Sequence, residues 1–162
     1  VIEDIAKKFS NKKKIFVIQQ VSTEEKKEEI KKTYNLLNMN YELFSFDKNL
    51  YEKMQDVDLA ITRCGASTLS DLVYYNIPFI AIPFPHAKDN HQYYNAKYFS
   101  DLNCCWLLDQ NKIDKNKILD LLLKIINDKD DYSNKKKNIE KISSKNNWKK
   151  INQKIINIIN ED

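Results

Sequence analysis

The sequence predicts an α/β protein, a parallel sheet with helices on both faces. Three observations carry that expectation. Short apolar runs of strand length alternate with longer segments whose apolar residues fall three and four apart. The only glycine in 162 residues, Gly65, stands where one such run stops and a helix-like segment begins. A second loop, Pro83 to Asn95, gathers both histidines and a set of amides after another run. In a parallel sheet both loops lie beyond the carboxyl ends of strands, the edge where ligands bind.

The elements follow in order. Ile2, Ile5, Ala6 and Phe9 have helical spacing, so Val1 to Phe9 reads as a helix. Ile15 to Ile18 is a continuous apolar run behind lysines, the mark of a buried parallel strand. Ser22 or Thr23, followed by Glu24 and Glu25, opens a helix to about Leu37 with Ile30, Tyr34 and Leu37 inward. Tyr41 to Phe46 is a strand, Leu50 to Gln55 a short helix and Leu59 to Thr62 a third strand. The helix from Ser67 must stop before Pro78. Phe79 to Ile82 is a strand closed by Pro83, Asn90 to Ser100 a helix, Cys104 to Leu108 a strand and Lys115 to Ile126 an apolar helix. A polar, low-complexity stretch runs from Asn127 to Asn138, and a last helix spans about Trp148 to Ile159.

Length fits one domain, 1–162, with a real core. Charged residues make up 31%, and no apolar run approaches the roughly 18 residues of a membrane span. The net charge of +4 comes from lysines interspersed with acids, which reads as solvated surface. Arginine occurs once, at Arg63, and no RNA-reading aromatic motif is present, against a nucleic-acid partner. Three cysteines without a C-x-x-C pair argue for a reducing compartment and against zinc; Cys104 and Cys105, beside Trp106, read as core residues. His86 and His91 have no third ligand at a sensible spacing, so no metal is expected.

A strand followed by Gly65, Ala66, Ser67 and Thr68 and then a helix points backbone N–H groups and a helix dipole at an anion. The same residues also suit a plain turn with a Ser67 or Thr68 cap. Thr68 and Asp71 fit a capping box, and Asp71 in a first turn equally suits two ribose hydroxyls. Gln92 and Asn95 share a helix face, and paired amides suit vicinal sugar hydroxyls.

At these residues the chain resembles a known family. The stretch DLAITRCGASTLSDLVYYNIPFIAIPFPHAKDNHQYYNAKYF is similar to the donor-binding domain of the MurG-type N-acetylglucosaminyltransferases, in a match running from about Ile15 to Leu108 and more weakly beyond. The resemblance implies the C-terminal, Rossmann-like half of a GT-B fold, lacking the first strand and glycine-rich loop. It implies transfer of N-acetylglucosamine from its UDP donor to a lipid-linked muramyl-pentapeptide in peptidoglycan synthesis, inverting and without metal or other cofactor. By position, Ala66, Ser67 and Thr68 would meet the donor diphosphate and sugar, and Asp71 the ribose. Gln92 and Asn95 would read the sugar, with His86 on the same loop. Phe46 and Asp47 would line the uracil, and Arg63 and Gly65 belong to the same motif. Cys64 and Asp71 depart from the family's usual Ser and Glu.

The catalytic base and acceptor site are expected on a further N-terminal domain, with residues 139–162 forming a helical tail packed toward it. The resemblance also implies work at the cytoplasmic face of the bacterial inner membrane, with peripheral membrane contact by the parent protein. A UDP-sugar-binding subunit of a two-component transferase and a basic nucleic-acid module are the alternative readings.

Overall fold

The computed structural model describes residues 15–145 and 156–158. The predicted helix at Val1 to Phe9 therefore lies outside the described residues. So does the one at Trp148 to Ile159, except for residues 156–158, which are helical. The chain divides into two compact units, Val1–Glu52 with Asp114–Leu122, and Lys53–Ile113 with Leu123–Asp162. Among the described residues all strand pairs are parallel, in one sheet of two strands and another of three.

In the first unit β1 (Phe16–Gln20) pairs with β2 (Asn40–Phe44), in register from Phe16 opposite Asn40 to Gln20 opposite Phe44. The crossover is α1 (Glu24–Leu36). Thr23 caps it through a bond from the Lys26 N–H, and Glu24 and Glu25 favour its dipole. Tyr34 is the buried residue of α1 and donates its hydroxyl to Gln19 on β1. It meets the Tyr41 ring edge-on at 5.2 Å, so helix and both strands share one contact. The short α2 (Leu50–Met54) follows. Much later, α5 (Lys115–Asn127) starts at Asp114, whose carboxylate accepts from the Lys117 N–H.

The second unit holds β3 (Ala60–Thr62), α3 (Ala66–Tyr74), β4 (Phe79–Ala81), α4 (His91–Asp101) and β5 (Cys105–Leu107). Strand order is β3-β4-β5, and the central β4 is fully buried. The core around it gathers Leu69 and Leu72 of α3, Ala96 of α4 and the thiols of Cys64, Cys104 and Cys105. Burial pushes the Cys105 thiol up to about 12, as expected for a cysteine acting as a small apolar residue.

With so little glycine, asparagine ends the helices. Asn38, Asn76 and Asn103 follow α1, α3 and α4 and all have positive φ, 50°, 56° and 53°. In each case the next residue's N–H reaches back five positions, Met39 to Tyr34, Ile77 to Leu72 and Cys104 to Phe99. That is a Schellman ending, in which asparagine takes the left-handed place that glycine usually fills.

The polar, low-complexity stretch from Asn127 to Asn138 is largely helical. It forms most of α6 (Lys129–Lys145). Asp128 caps it by accepting from the Asp131 N–H, 3.0 Å. Its inward face is Tyr132, Lys135, Ile139 and Ile142, with Ile139 fully buried and Ile142 packed on the core. Only two of those four are aliphatic, because Lys135 occupies a core position. Residues 139–145, assigned from sequence to a tail, are thus the end of α6, and Ile139 and Ile142 among them pack on this unit's own core.

Candidate functional site

β3 runs out at Thr62, and Arg63, Cys64 and Gly65 lead into α3. The residue before α3 is Gly65, with φ −66° and ψ 140°, and no side chain caps the helix. Neither Ser67 nor Thr68 is the cap, and the Thr68–Asp71 capping box is not formed. The helix begins too early for it, which carries Asp71 into the second turn rather than the first. Gly65 is not in a left-handed conformation, and a methyl group placed on it would meet only Thr68 Oγ1, at 3.8 Å. Neither backbone angle nor crowding inside the protein requires glycine here.

The start of α3 is consequently bare. Its first bond within the helix is from the Leu69 N–H to the Gly65 carbonyl, 3.0 Å. The N–H groups of Ala66, Ser67 and Thr68 have no partner among the described residues, and the first turn carries no acidic side chain. Three unpaired donors at the positive end of a nine-residue helix form an anion-receptive surface. The carboxylate of Asp71, exposed on the same helix, also makes no hydrogen bond or ion pair among the described residues.

Arg63 spans the strand ends. Its Nη1 donates to the carbonyls of Ile82, 3.2 Å, and Pro83, 3.4 Å, beyond β4, and to Gln110 Oε1 beyond β5. The guanidinium also lies 5.6 Å from the Phe84 ring centroid. Sequence reasoning missed Gln110 and Phe84. The strand alternation held the signal for Gln110, which follows β5 at the edge already singled out.

The Pro83–Asn95 loop passes through a tight turn at Lys88–Asn90, where Asp89 and Asn90 both have positive φ. His91 Nδ1 lies 2.7 Å from the Lys88 carbonyl, which places a proton on that nitrogen. His86 is exposed and stacks edge-on against Phe84, 5.5 Å between centroids. Gln92 and Asn95, one turn apart on α4, both turn toward Cys64. Gln92 Oε1 accepts from the Cys64 N–H, 3.1 Å, and from the Phe84 N–H, 3.0 Å. Asn95 Nδ2 donates to the Cys64 carbonyl, 3.0 Å. Burial raises the Cys64 thiol to about 11, a shift partly opposed by the Arg63 charge and a backbone hydrogen bond at Ile82.

Of the residues singled out in the sequence, the second unit holds Arg63, Gly65, Ala66, Ser67, Thr68, Asp71, His86, Gln92 and Asn95. Phe46 and Asp47 belong to the first unit. Phe46 is 77% exposed, and the Asp47 carboxylate accepts from the Asn49 N–H at 2.8 Å. Among the described residues no three or more His, Cys, Asp or Glu side chains gather as a metal site.

Fold and loops together define a parallel α/β domain whose strand ends carry an uncapped, anion-receptive helix start. The chain belongs to glycosyltransferase family 28, as its C-terminal domain: the family model matches residues 1–155. Over 135 residues it is 46% identical to the UDP-N-acetylglucosamine--N-acetylmuramyl-(pentapeptide) pyrophosphoryl-undecaprenol N-acetylglucosamine transferase of Pelagibacter ubique, covering 83% of this chain and 38% of that protein. The enzyme of the same name from Rickettsia felis is 44% identical over 114 residues, 70% of this chain and 31% of the relative. The chain thus spans about a third of the length of these relatives. The crystal structure of Acinetobacter baumannii MurG shares the fold, with a TM-score of 0.67 at 18% identity over 91% of this chain and 43% of that one.

Proposed function

We propose that this chain is the donor-binding domain of a transferase that moves N-acetylglucosamine from UDP-N-acetylglucosamine to a lipid-linked muramyl-pentapeptide. The observation that carries this reading is the bare start of α3: three unpaired N–H groups behind the lone glycine. A diphosphate would receive those donors, and they stabilise negative charge most as UDP departs from the anomeric carbon. The Asp71 carboxylate, with no hydrogen-bond partner among the described residues, would hold the ribose hydroxyls. Phe46 and Asp47 are assigned to the uracil. The sugar is assigned to the loop carrying His86, Gln92 and Asn95, where Gln92 Nε2 and Asn95 Oδ1 have no protein partner among the described residues.

No described residue is assigned as the base that deprotonates the acceptor, and the parent protein would work at the cytoplasmic face of the bacterial inner membrane. Among the described residues no helix is long and apolar enough to cross a membrane, which agrees with a peripheral attachment. The test is titration of UDP-N-acetylglucosamine into the isotopically labelled protein. Saturable shifts at the amides of Ala66, Ser67 and Thr68, reversed by competition with UDP, are expected. Absence of binding by both ligands at millimolar concentration overturns the reading.

A further inference from the structure

We infer that Gln92 and Asn95 act chiefly as positioning residues, which set the anion-receptive start of α3 by fixing the peptide units on both sides of Cys64. The inference rests on the reading of that helix start as the diphosphate site.

The geometry is reciprocal. Gln92 Oε1 takes the Cys64 N–H and Asn95 Nδ2 gives to the Cys64 carbonyl, at 3.1 and 3.0 Å. The backbone entering Cys64 and the backbone leaving it are therefore both held by one face of α4. The leaving peptide unit joins Cys64 to Gly65, whose carbonyl receives the first bond of α3. A rotation of that unit would re-aim the N–H groups of Ala66, Ser67 and Thr68 together. Burial of the Cys64 side chain in the core fixes the same residue from the other side.

The second bond of Gln92, to the Phe84 N–H at 3.0 Å, brings in the loop after β4. One carbonyl oxygen thus joins the ends of two neighbouring strands. Both N–H groups follow strand ends, where no ladder partner remains for them, and leaving the partly buried Cys64 amide unpaired is costly. The oxygen of Gln92 is committed to the protein before any ligand arrives. A role confined to reading a sugar would need only the amide nitrogen.

The distinction is measurable because UDP has no sugar. A residue that reads the sugar changes affinity for UDP-N-acetylglucosamine and leaves UDP alone. A residue that positions the diphosphate site lowers the affinity for UDP as well. Gln92→Met keeps length and volume and removes the acceptor. We expect about tenfold weaker binding of UDP, the scale of one or two lost hydrogen bonds, with the sugar nucleotide falling at least as far because the amide nitrogen is lost too. Amide hydrogen exchange in the unliganded protein should quicken at Cys64 and Phe84 together. Gln92→Glu retains an acceptor for both N–H groups and should restore their protection, which separates this role from general unfolding. Unchanged exchange at both amides in Gln92→Met overturns the inference. So does loss of affinity for the sugar nucleotide with UDP unaffected. If the wild-type protein binds neither ligand, the functional reading fails, while the exchange rates still decide whether the clamp exists.

Discussion

Lys135 lies over the indole of Trp106, its Nζ 4.8 Å from the ring centroid, and is only 5% exposed. The ammonium donates to Asn103 Oδ1 at 2.6 Å and lies 3.5 Å from Asp131, whose other oxygen accepts the Trp106 indole N–H at 2.9 Å. Four side chains thus satisfy one another where α6 meets β5 and the end of α4. A buried ammonium is tolerated only with such partners.

Removing the charge should therefore cost more than removing any surface lysine. Lys135→Ala leaves Asp131 and Asn103 without their cation and opens a gap over the indole. A loss of about 2–4 kcal/mol is expected, with Lys135→Met losing less because it refills the volume. The exposed neighbours Lys136→Ala and Lys137→Ala should change stability by less than about 0.5 kcal/mol. Urea denaturation followed by circular dichroism checks all four. Equal losses at positions 135 and 136 would refute the buried network.

That network also explains where sequence reasoning stopped. The alternation of strands and helices was legible because parallel strands leave continuous apolar runs, and Tyr34, placed inward by its helical spacing, is buried. Helix α6 was hidden because a lysine takes one of its four inward positions, so the apolar period thins out. Its real signal is local, Asp128 capping Asp131. The site loops were legible from Gly65 and from the Gln92–Asn95 spacing. Their bonds were not, since only the fold brings Cys64 between those two amides. The Thr68–Asp71 pattern misled for a related reason: a helix start is set by backbone position, and Gly65 needs no side chain to serve.

Two asparagines in the same backbone role should respond oppositely to glycine. Asn76 has φ 56° and its Oδ1 is buried with no hydrogen-bond partner. Asn76→Gly relieves both the left-handed strain and the unpaired acceptor, and should stabilise by roughly 0.5–1 kcal/mol. Asn103 has φ 53°, but its Oδ1 holds Lys135. Asn103→Gly should destabilise by about 1–2 kcal/mol, since the bond to a charged donor outweighs the relief of strain. Thermal unfolding of the two variants decides it, and the same sign at both sites would count against the argument.

Alkaline pH should unfold the second unit through its thiols. Burial raises Cys64 to about 11 and Cys105 to about 12, both from an ordinary value of 9.0. An acid whose folded pKa is raised favours its neutral form in the fold. The unfolded chain ionises first, so this contribution is intact below about pH 9 and is lost as pH rises toward 11–12. At pH 8 the thiols should resist a disulfide reagent until denaturant is added. Rapid reaction of the native protein would show that these thiols are not buried.

Gly65 separates folding from function more sharply than any other position. Alanine there meets only Thr68 Oγ1 at 3.8 Å, and φ −66° suits any residue. Gly65→Ala should therefore leave stability within about 0.5 kcal/mol of wild type, or raise it slightly by restricting the unfolded chain. The new methyl group would instead stand beside the bare N–H groups of α3, where the proposed donor diphosphate would approach. Affinity for UDP is expected to fall at least tenfold while the urea midpoint stays put. Asp71→Ala makes the companion case, since it removes no side-chain hydrogen bond or ion pair among the described residues and should weaken UDP by about tenfold without a change in stability. If alanine at position 65 unfolds the protein, the glycine serves the fold. If it changes neither stability nor UDP binding, the phosphates do not sit at this helix start.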